Sequence, residues 1–137
     1  MAERLDDIKG MRSLDPSGLL DQLNAFPDQL EWSREKAMPD LSGASKVVIC
    51  GIGGSAIAGD VLIDLLSPSI SMPLLVSRDV VLPGFADQDT LVIVASYSGN
   101  TTESLDQYHD AMRRGCRVVA VTSGGKLEEL AIKNSQP

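Results

Sequence analysis

The stretch Val47-Val48-Ile49-Cys50-Gly51-Ile52-Gly53-Gly54-Ser55-Ala56 decides the fold. Val47 to Cys50 is a short run rich in β-branched residues and reads as a strand. Gly51 to Ser55 is a glycine loop, and Ile57, Ala58, Val61, Leu62, Leu65 and Leu66 then recur at helical spacing. Between Lys46 and Ser77 the only charged residues are Lys46, Asp60 and Asp64, so this is core. Pro68 ends the helix and Pro73 precedes a second apolar run, Leu74 to Ser77.

Outward from that unit the pattern repeats. Arg78 to Asp89 is a polar connection containing Pro83-Gly84, and Leu91 to Ala95 is a third apolar run. The loop Ser96-Tyr97-Ser98-Gly99-Asn100-Thr101 follows, then a helix with Leu105, Tyr108 and Met112 on one face. Gly115 stops it, Arg117 to Val121 makes a fourth run, and Thr122 to Gly125 leads into a short helix, Lys126 to Lys133. Continuous apolar strands separated by helices indicate a parallel sheet covered on both faces, so the expected fold is α/β and doubly wound, a three-layer α/β/α arrangement. The last helix would lead into a fifth strand, which the fold is expected to lack because the sequence ends at Pro137.

Residues 1 to 45 are different in character. Leu5, Ile8 and Met11 stand at helical spacing, and Asp15-Pro16 and Phe26-Pro27 place proline where a new helix can begin, which predicts two or three short helices. Trp32 reads as a packing residue.

Composition excludes several function classes. The chain has 137 residues, one domain's worth, with a formal net charge of -7. Residues 1 to 45 carry 5 basic against 9 acidic side chains and the remainder 7 against 10, so neither part is a basic arm for nucleic acid. Arg113, Arg114 and Arg117 read as cations near a helix C-terminus. The absence of a long apolar run or an apolar N-terminal region argues against a membrane span and a secretory signal, and predicts a cytoplasmic protein. Cys50 and Cys116 form neither a disulfide framework nor a zinc ligand set and are expected to be buried, reduced thiols.

Three strand ends share one chemistry: Gly51 to Ser55, Ser96 to Thr101, and Thr122 to Gly125. Glycine lets backbone N–H groups approach a ligand, hydroxyls add hydrogen bonds, and the helix that follows directs its N-terminus at the same place, which suits a phosphate. Gly51, Gly53 and Ala56 also satisfy the dinucleotide pattern G-x-G-x-x-A, and Ser77-Arg78-Asp79 after the second strand is ambiguous about a 2′-phosphate. A third reading has the glycines permit a tight turn and nothing more. The hydroxyls of Ser96, Ser98 and Thr101 tip the choice to a small phosphorylated ligand, because a nicotinamide site has no need of them there. Asn100 followed by Glu103 approximates a capping box, which makes Glu103 a helix-cap residue rather than a general base. His109 reads as an exposed helical residue. Neither serine has a base beside it in sequence, and no metal-ligand spacing occurs.

Four segments in order, VVICGIGGSAIAGD, SRDVVLPGF, LVIVASYSGNTTESL and VVAVTSGGKLEELA, resemble the first sugar isomerase (SIS) domain of the bifunctional phosphoglucose/phosphomannose isomerases, from about Lys46 to Ala131. The resemblance implies a helical segment over residues 1–45 and an SIS domain over residues 46–137, the first of two in that family. It implies that Gly53, Gly54 and Ser55 approach the substrate, that Ser96, Ser98 and Thr101 join Ser55 in holding the phosphate, and that Ser123 and Gly124 lie near it. The implied reaction interconverts glucose 6-phosphate or mannose 6-phosphate with fructose 6-phosphate, a base moving a proton between C1 and C2 through a cis-enediolate, with no metal or cofactor. The partners implied are a hexose 6-phosphate and, in the full-length family protein, a second copy as a homodimer.

Two local departures are mild: Arg78-Asp79-Val80 replaces Arg-Asp-Tyr, and Asn100-Thr101-Thr102-Glu103 replaces Asn-Thr-Glu-Glu. The larger one is length. The family's glutamate base, ring-opening histidine and an arginine correspond to positions beyond residue 137, so the chain is expected to be a fragment carrying the phosphate-binding half, incomplete as a catalyst. A stand-alone phosphosugar sensor and an NADP-binding Rossmann domain are the competing expectations.

Overall fold

A computed structural model describes residues 6–34 and 42–137, apart from the side chains of Leu30, Trp32 and Arg34. The chain forms two compact units, residues 1–38 and residues 39–137. In the first, three short helices follow one another: α1 (Ile8–Ser13), α2 (Leu19–Asn24) and α3 (Phe26–Arg34). Asp7 caps α1 by accepting from the Gly10 amide at 2.9 Å, and Pro27 occupies the first turn of α3, where its missing N–H removes no helical bond. The expected places of Leu5 and the Trp32 side chain fall outside the described residues.

The second unit is a four-stranded parallel sheet, ordered β2-β1-β3-β4. Its elements run β1 (Lys46–Cys50), α4 (Gly54–Leu66), β2 (Leu74–Ser77), β3 (Thr90–Ser96), α5 (Thr102–Arg113), β4 (Arg117–Thr122) and α6 (Gly125–Lys133). The register sets Val48 beside Val92 and Val92 beside Val118. Alternate strand residues therefore feed two separate cores. Val48, Cys50, Val92, Val94 and Val118 pack with Tyr108 and Ala111 of α5 and Leu127 of α6, all 8% exposed or less. On the opposite face Val47, Ile49 and Leu91 meet Leu62 of α4. Both faces are thus used, as an α/β doubly wound fold requires, and both cysteines are buried free thiols, with burial pushing Cys50 up to about 12.

The α4 face is the less covered. Only Ala56 and Gly59 of α4 are buried, while Ile57, Val61 and Leu65 are 59%, 60% and 71% exposed. The apolar spacing that identified the helix therefore overstates its burial, because it counts residues around more of the circumference than one sheet contact can cover. The helix lies close where it does touch: a Cβ on Gly59 would stand 2.8 Å from Val76 Cγ2. Beyond α6 the chain turns back, and the Pro137 carbonyl accepts from the Ala120 amide at 2.9 Å, along the outer edge of β4.

An ion cluster around one buried carboxylate fixes the long connection between β2 and β3. Asp110 on α5, with a side chain 3% exposed, accepts from the Leu82 amide at 3.0 Å and is paired with Arg113 and Arg114. Arg114 also donates to the Pro83 carbonyl at 2.9 Å, so the two side chains clamp the connection to α5. The three arginines expected to act on a helix terminus thus have specific partners, Arg117 donating to the Ser42 carbonyl. Burial pushes the Asp110 carboxyl up, but the Leu82 amide and Arg114 outweigh it and hold it below the usual carboxylate range. A depressed folded-state value gives stability that is complete above the unfolded value and lost as pH falls through the folded one. Asp110→Ala is expected to cost about 3 kcal/mol at pH 7. In paired urea titrations, the gap between wild type and variant should shrink below about pH 4.

Candidate functional site

The reversal of strand order places the site. From β1 the chain crosses by α4 to β2 on one side; from β3 it crosses by α5 to β4 on the other. The carboxyl ends of β1 and β3 therefore diverge from adjacent strands, the position at which open parallel sheets bind ligands. An open cleft of about 550 Å³ lies there, lined by Ile52, Gly54 and Ser55 from the first loop and Tyr97, Ser98 and Thr101 from the second. Among the described residues no acidic side chain lines it, although the whole chain carries a net charge of -7.

The hydroxyls divide into two roles. Ser55, Ser98 and Thr101 line the cleft. Ser96, 3% exposed, sits beneath them and shares a 3.0 Å hydrogen bond with Thr101 Oγ1, so it fixes the direction of the threonine hydroxyl. Gly53 is an exposed residue at φ 58° and gives α4 an N-cap with no capping side chain. Thr101 is the N-cap of α5 and likewise makes no side-chain cap bond. Two helices thus begin at the cleft with first-turn N–H groups that no side chain has claimed, a favourable setting for an anion.

The third loop behaves differently. Ser123 donates from its amide to the Tyr97 carbonyl at 3.2 Å and from its hydroxyl to the same oxygen. The amide of Lys126 reaches Asn100 Oδ1 at 3.2 Å, and the Leu127 amide reaches the Gly99 carbonyl at 3.0 Å. The N-terminus of α6 is thereby spent on the neighbouring loop. Ser123 and Gly124, expected near the ligand, are brought against the back of the Ser96 to Thr101 loop and do not line the cleft. Thr122 Oγ1 donates to the Gly124 carbonyl at 2.7 Å and closes this third loop on itself.

This interlock corrects the capping-box expectation. Asn100 is not the cap of α5; its amide donates to the Ser98 carbonyl at 2.9 Å while its oxygen accepts from Lys126. Both ends of the side chain are committed to holding loops, so Thr101 takes the cap position. His109 is exposed, as expected, and lines a groove between α5 and α6 with Lys126 and Glu129, away from the cleft. Arg78 is paired with Asp60 of α4. Among the described residues no group of three metal-ligating side chains occurs, and no helix is long and apolar enough to cross a membrane.

Sequence reasoning missed Tyr97 and Ile52, which are 83% and 37% exposed and belong to the cleft wall. The available signal was local: a tyrosine between two serines in a glycine-containing turn has no core to enter.

A parallel sheet with a hydroxyl-lined cleft at its switch point defines a class of α/β proteins, and comparison shows that a phosphoheptose isomerase shares its fold. A phosphoheptose isomerase from Neisseria gonorrhoeae superposes with a TM-score of 0.64 over 85% of this chain and 80% of its own, at 16% identity. In sequence the chain is similar to the bifunctional phosphoglucose/phosphomannose isomerases. It is 51% identical over 89 residues to that of Caldicellulosiruptor bescii, across 65% of this chain and 26% of the relative. It is 41% identical over 110 residues to that of Aquifex aeolicus, across 80% of this chain and 34% of the relative. The chain thus spans about a quarter to a third of the length of these curated relatives. No family model matches it.

The interlock rests on Gly99, whose φ of 65° favours glycine and where an added Cβ would overlap the Gly124 carbonyl oxygen. Gly99→Ala should therefore destabilise the chain by about 1 to 3 kcal/mol in denaturant titration. Gly84→Ala, where a Cβ meets nothing within 4 Å, serves as the silent control.

Proposed function

We propose that this chain is the phosphosugar-binding part of an aldose-ketose isomerase acting on glucose 6-phosphate or mannose 6-phosphate and fructose 6-phosphate. The observation that carries it is the cleft between β1 and β3, where the hydroxyls of Ser55, Ser98 and Thr101 meet two helix N-termini without side-chain caps, and no carboxylate is among the described lining residues. A phosphate dianion has few acceptable sites on an acidic protein, and this one offers hydroxyl and backbone N–H donors. The named relatives support the hexose 6-phosphate as its ester.

In this reading Ser55, Ser98 and Thr101 donate to phosphate oxygens, with first-turn amides of α4 and α5 completing the cradle. Ser96 acts through Thr101 as a positioning residue. Gly53 and Gly54 keep the approach to α4 free of side chains. Ser123 and Gly124 hold the second loop in shape from behind. In this reading residues 46–137 are the SIS domain of the family, and α1 to α3 belong to the segment that precedes it.

The isomerisation moves one proton between C1 and C2 through a cis-enediolate. None of the cleft-lining side chains is a base: they are hydroxyl, aliphatic, aromatic or glycine. The chain's own part is therefore binding and orientation, and the proton-transfer group is supplied from outside these residues. General acid–base catalysis contributes about 10² to 10⁴ in rate, so the isolated chain should turn over substrate slowly or not at all while still binding it. The cytoplasm, where hexose phosphates are metabolised, is the setting this reading implies. The exposed Ile57, Val61 and Leu65 stripe of α4 favours association with a second copy.

Replacing the two cleft hydroxyls of the second loop, Ser98→Ala with Thr101→Val, should weaken hexose 6-phosphate binding. Each lost charge-assisted bond is worth about 1.5 to 3 kcal/mol, or roughly tenfold or more in Kd by calorimetry. Unchanged affinity in the folded double variant would remove the phosphate from this cleft.

A further inference from the structure

Two side chains of the cleft, Tyr97 and Ile52, stand outside the set of serine and threonine hydroxyls assigned above to the phosphate. Tyr97 is 83% exposed, yet its backbone is among the most firmly held of the loop, its carbonyl accepting from both the amide and the hydroxyl of Ser123. On either side of it in the chain, Ser96 points its hydroxyl to Thr101 and Ser98 opens onto the cleft. Across the cleft Ile52, 37% exposed, stands on the β1–α4 loop. Two large apolar side chains thus border a floor made of hydroxyls and backbone amides, and neither contributes to the core of the sheet.

A phosphate alone gains nothing from such a border. A phosphate ester does, because its carbon skeleton extends beyond the hydroxyl and amide donors, and Tyr97 and Ile52 are the large side chains that complete the lining. The phenol ring offers a broad contact surface with two rotatable angles, so it orders at small entropic cost. Its aromatic face meets C–H groups while the hydroxyl stays in water. Apolar walls with a few directed polar groups are the usual construction of small-molecule sites.

Resting on the phosphosugar reading above, we infer that Tyr97, with Ile52, is the specificity wall of the cleft, packing on the carbon skeleton of a sugar phosphate and separating it from inorganic phosphate. The floor supplies affinity for the dianion; the wall supplies preference for the ester.

The test is calorimetry or ligand-observed NMR on the 137-residue chain with two probes, inorganic phosphate and glucose 6-phosphate. Wild type should favour glucose 6-phosphate. Tyr97→Ala should weaken glucose 6-phosphate about five- to tenfold and leave inorganic phosphate unchanged, collapsing the ratio, while Tyr97→Phe keeps it, since the ring makes the contact. A ratio unchanged in Tyr97→Ala overturns the inference and leaves the phosphosugar reading standing. Equal loss for both probes also overturns it, because Tyr97 would then act on the floor. If wild type binds neither probe, the phosphosugar reading falls and this inference with it. Thermal melts of both variants should match wild type, as the side chain is largely in solvent.

Discussion

Parallel pairing of β1 with β3 is the constraint on which the rest of this structure depends. Parallel neighbours cannot be joined by a hairpin, so each must send its chain away through a crossover helix. Right-handed crossovers that run outward in opposite directions from two adjacent strands must lie on opposite faces of the sheet. That places α4 on one face and α5 on the other, and separates their N-termini across the top of the sheet. The cleft is the gap so produced. Its hydroxyls matter because the topology has already brought two sets of unclaimed backbone N–H groups to one place.

The second level of organisation is the division of labour among three loops of similar composition. Each follows a strand, each contains glycine and a hydroxyl, and each opens a helix. Only two line the cleft. The third gives its first-turn amides to Asn100 and Gly99 and its serine to Tyr97, so it works as a brace. A brace has value here because an anion cradle depends on donors whose directions are set beforehand rather than recruited by the ligand. Ser96, itself buried, serves the same end by sharing a part-buried hydrogen bond with Thr101 Oγ1.

Polar burial elsewhere follows the same logic of fixed position. Gln107, 1% exposed, donates to Ser77 Oγ at the carboxyl end of β2, tying that edge strand to α5 across β1. Asp110 secures the connection that follows β2. Both residues stand on α5, three positions apart, so the helix that presents Thr101 to the cleft is itself anchored through two buried polar contacts. The site-bearing helix is therefore held by directional bonds as well as by Tyr108 and Ala111 in the apolar core.

The sequence by itself determined the α/β class, the four strands, the helix that follows each glycine loop and the hydroxyls of Ser55, Ser96, Ser98 and Thr101 as candidates for a phosphate; that Ser96 lies buried behind Thr101 was not legible there. Those features are written in local periodicity and in turn chemistry, which involve residues within a few positions of one another. Only the tertiary structure decided that β1 and β3 are neighbours, that Ser123 and Gly124 brace the second loop, that Asn100 is a strut rather than a cap, and that Tyr97 and Ile52 border the same cleft. It also decided how little of α4 is buried, since apolar spacing records which residues can be covered and not what covers them. Each of these outcomes depends on which distant segments meet, as Asn100 meets Lys126 and Tyr97 meets Ser123. Such meetings are fixed by strand order and register, which no single stretch of chain encodes.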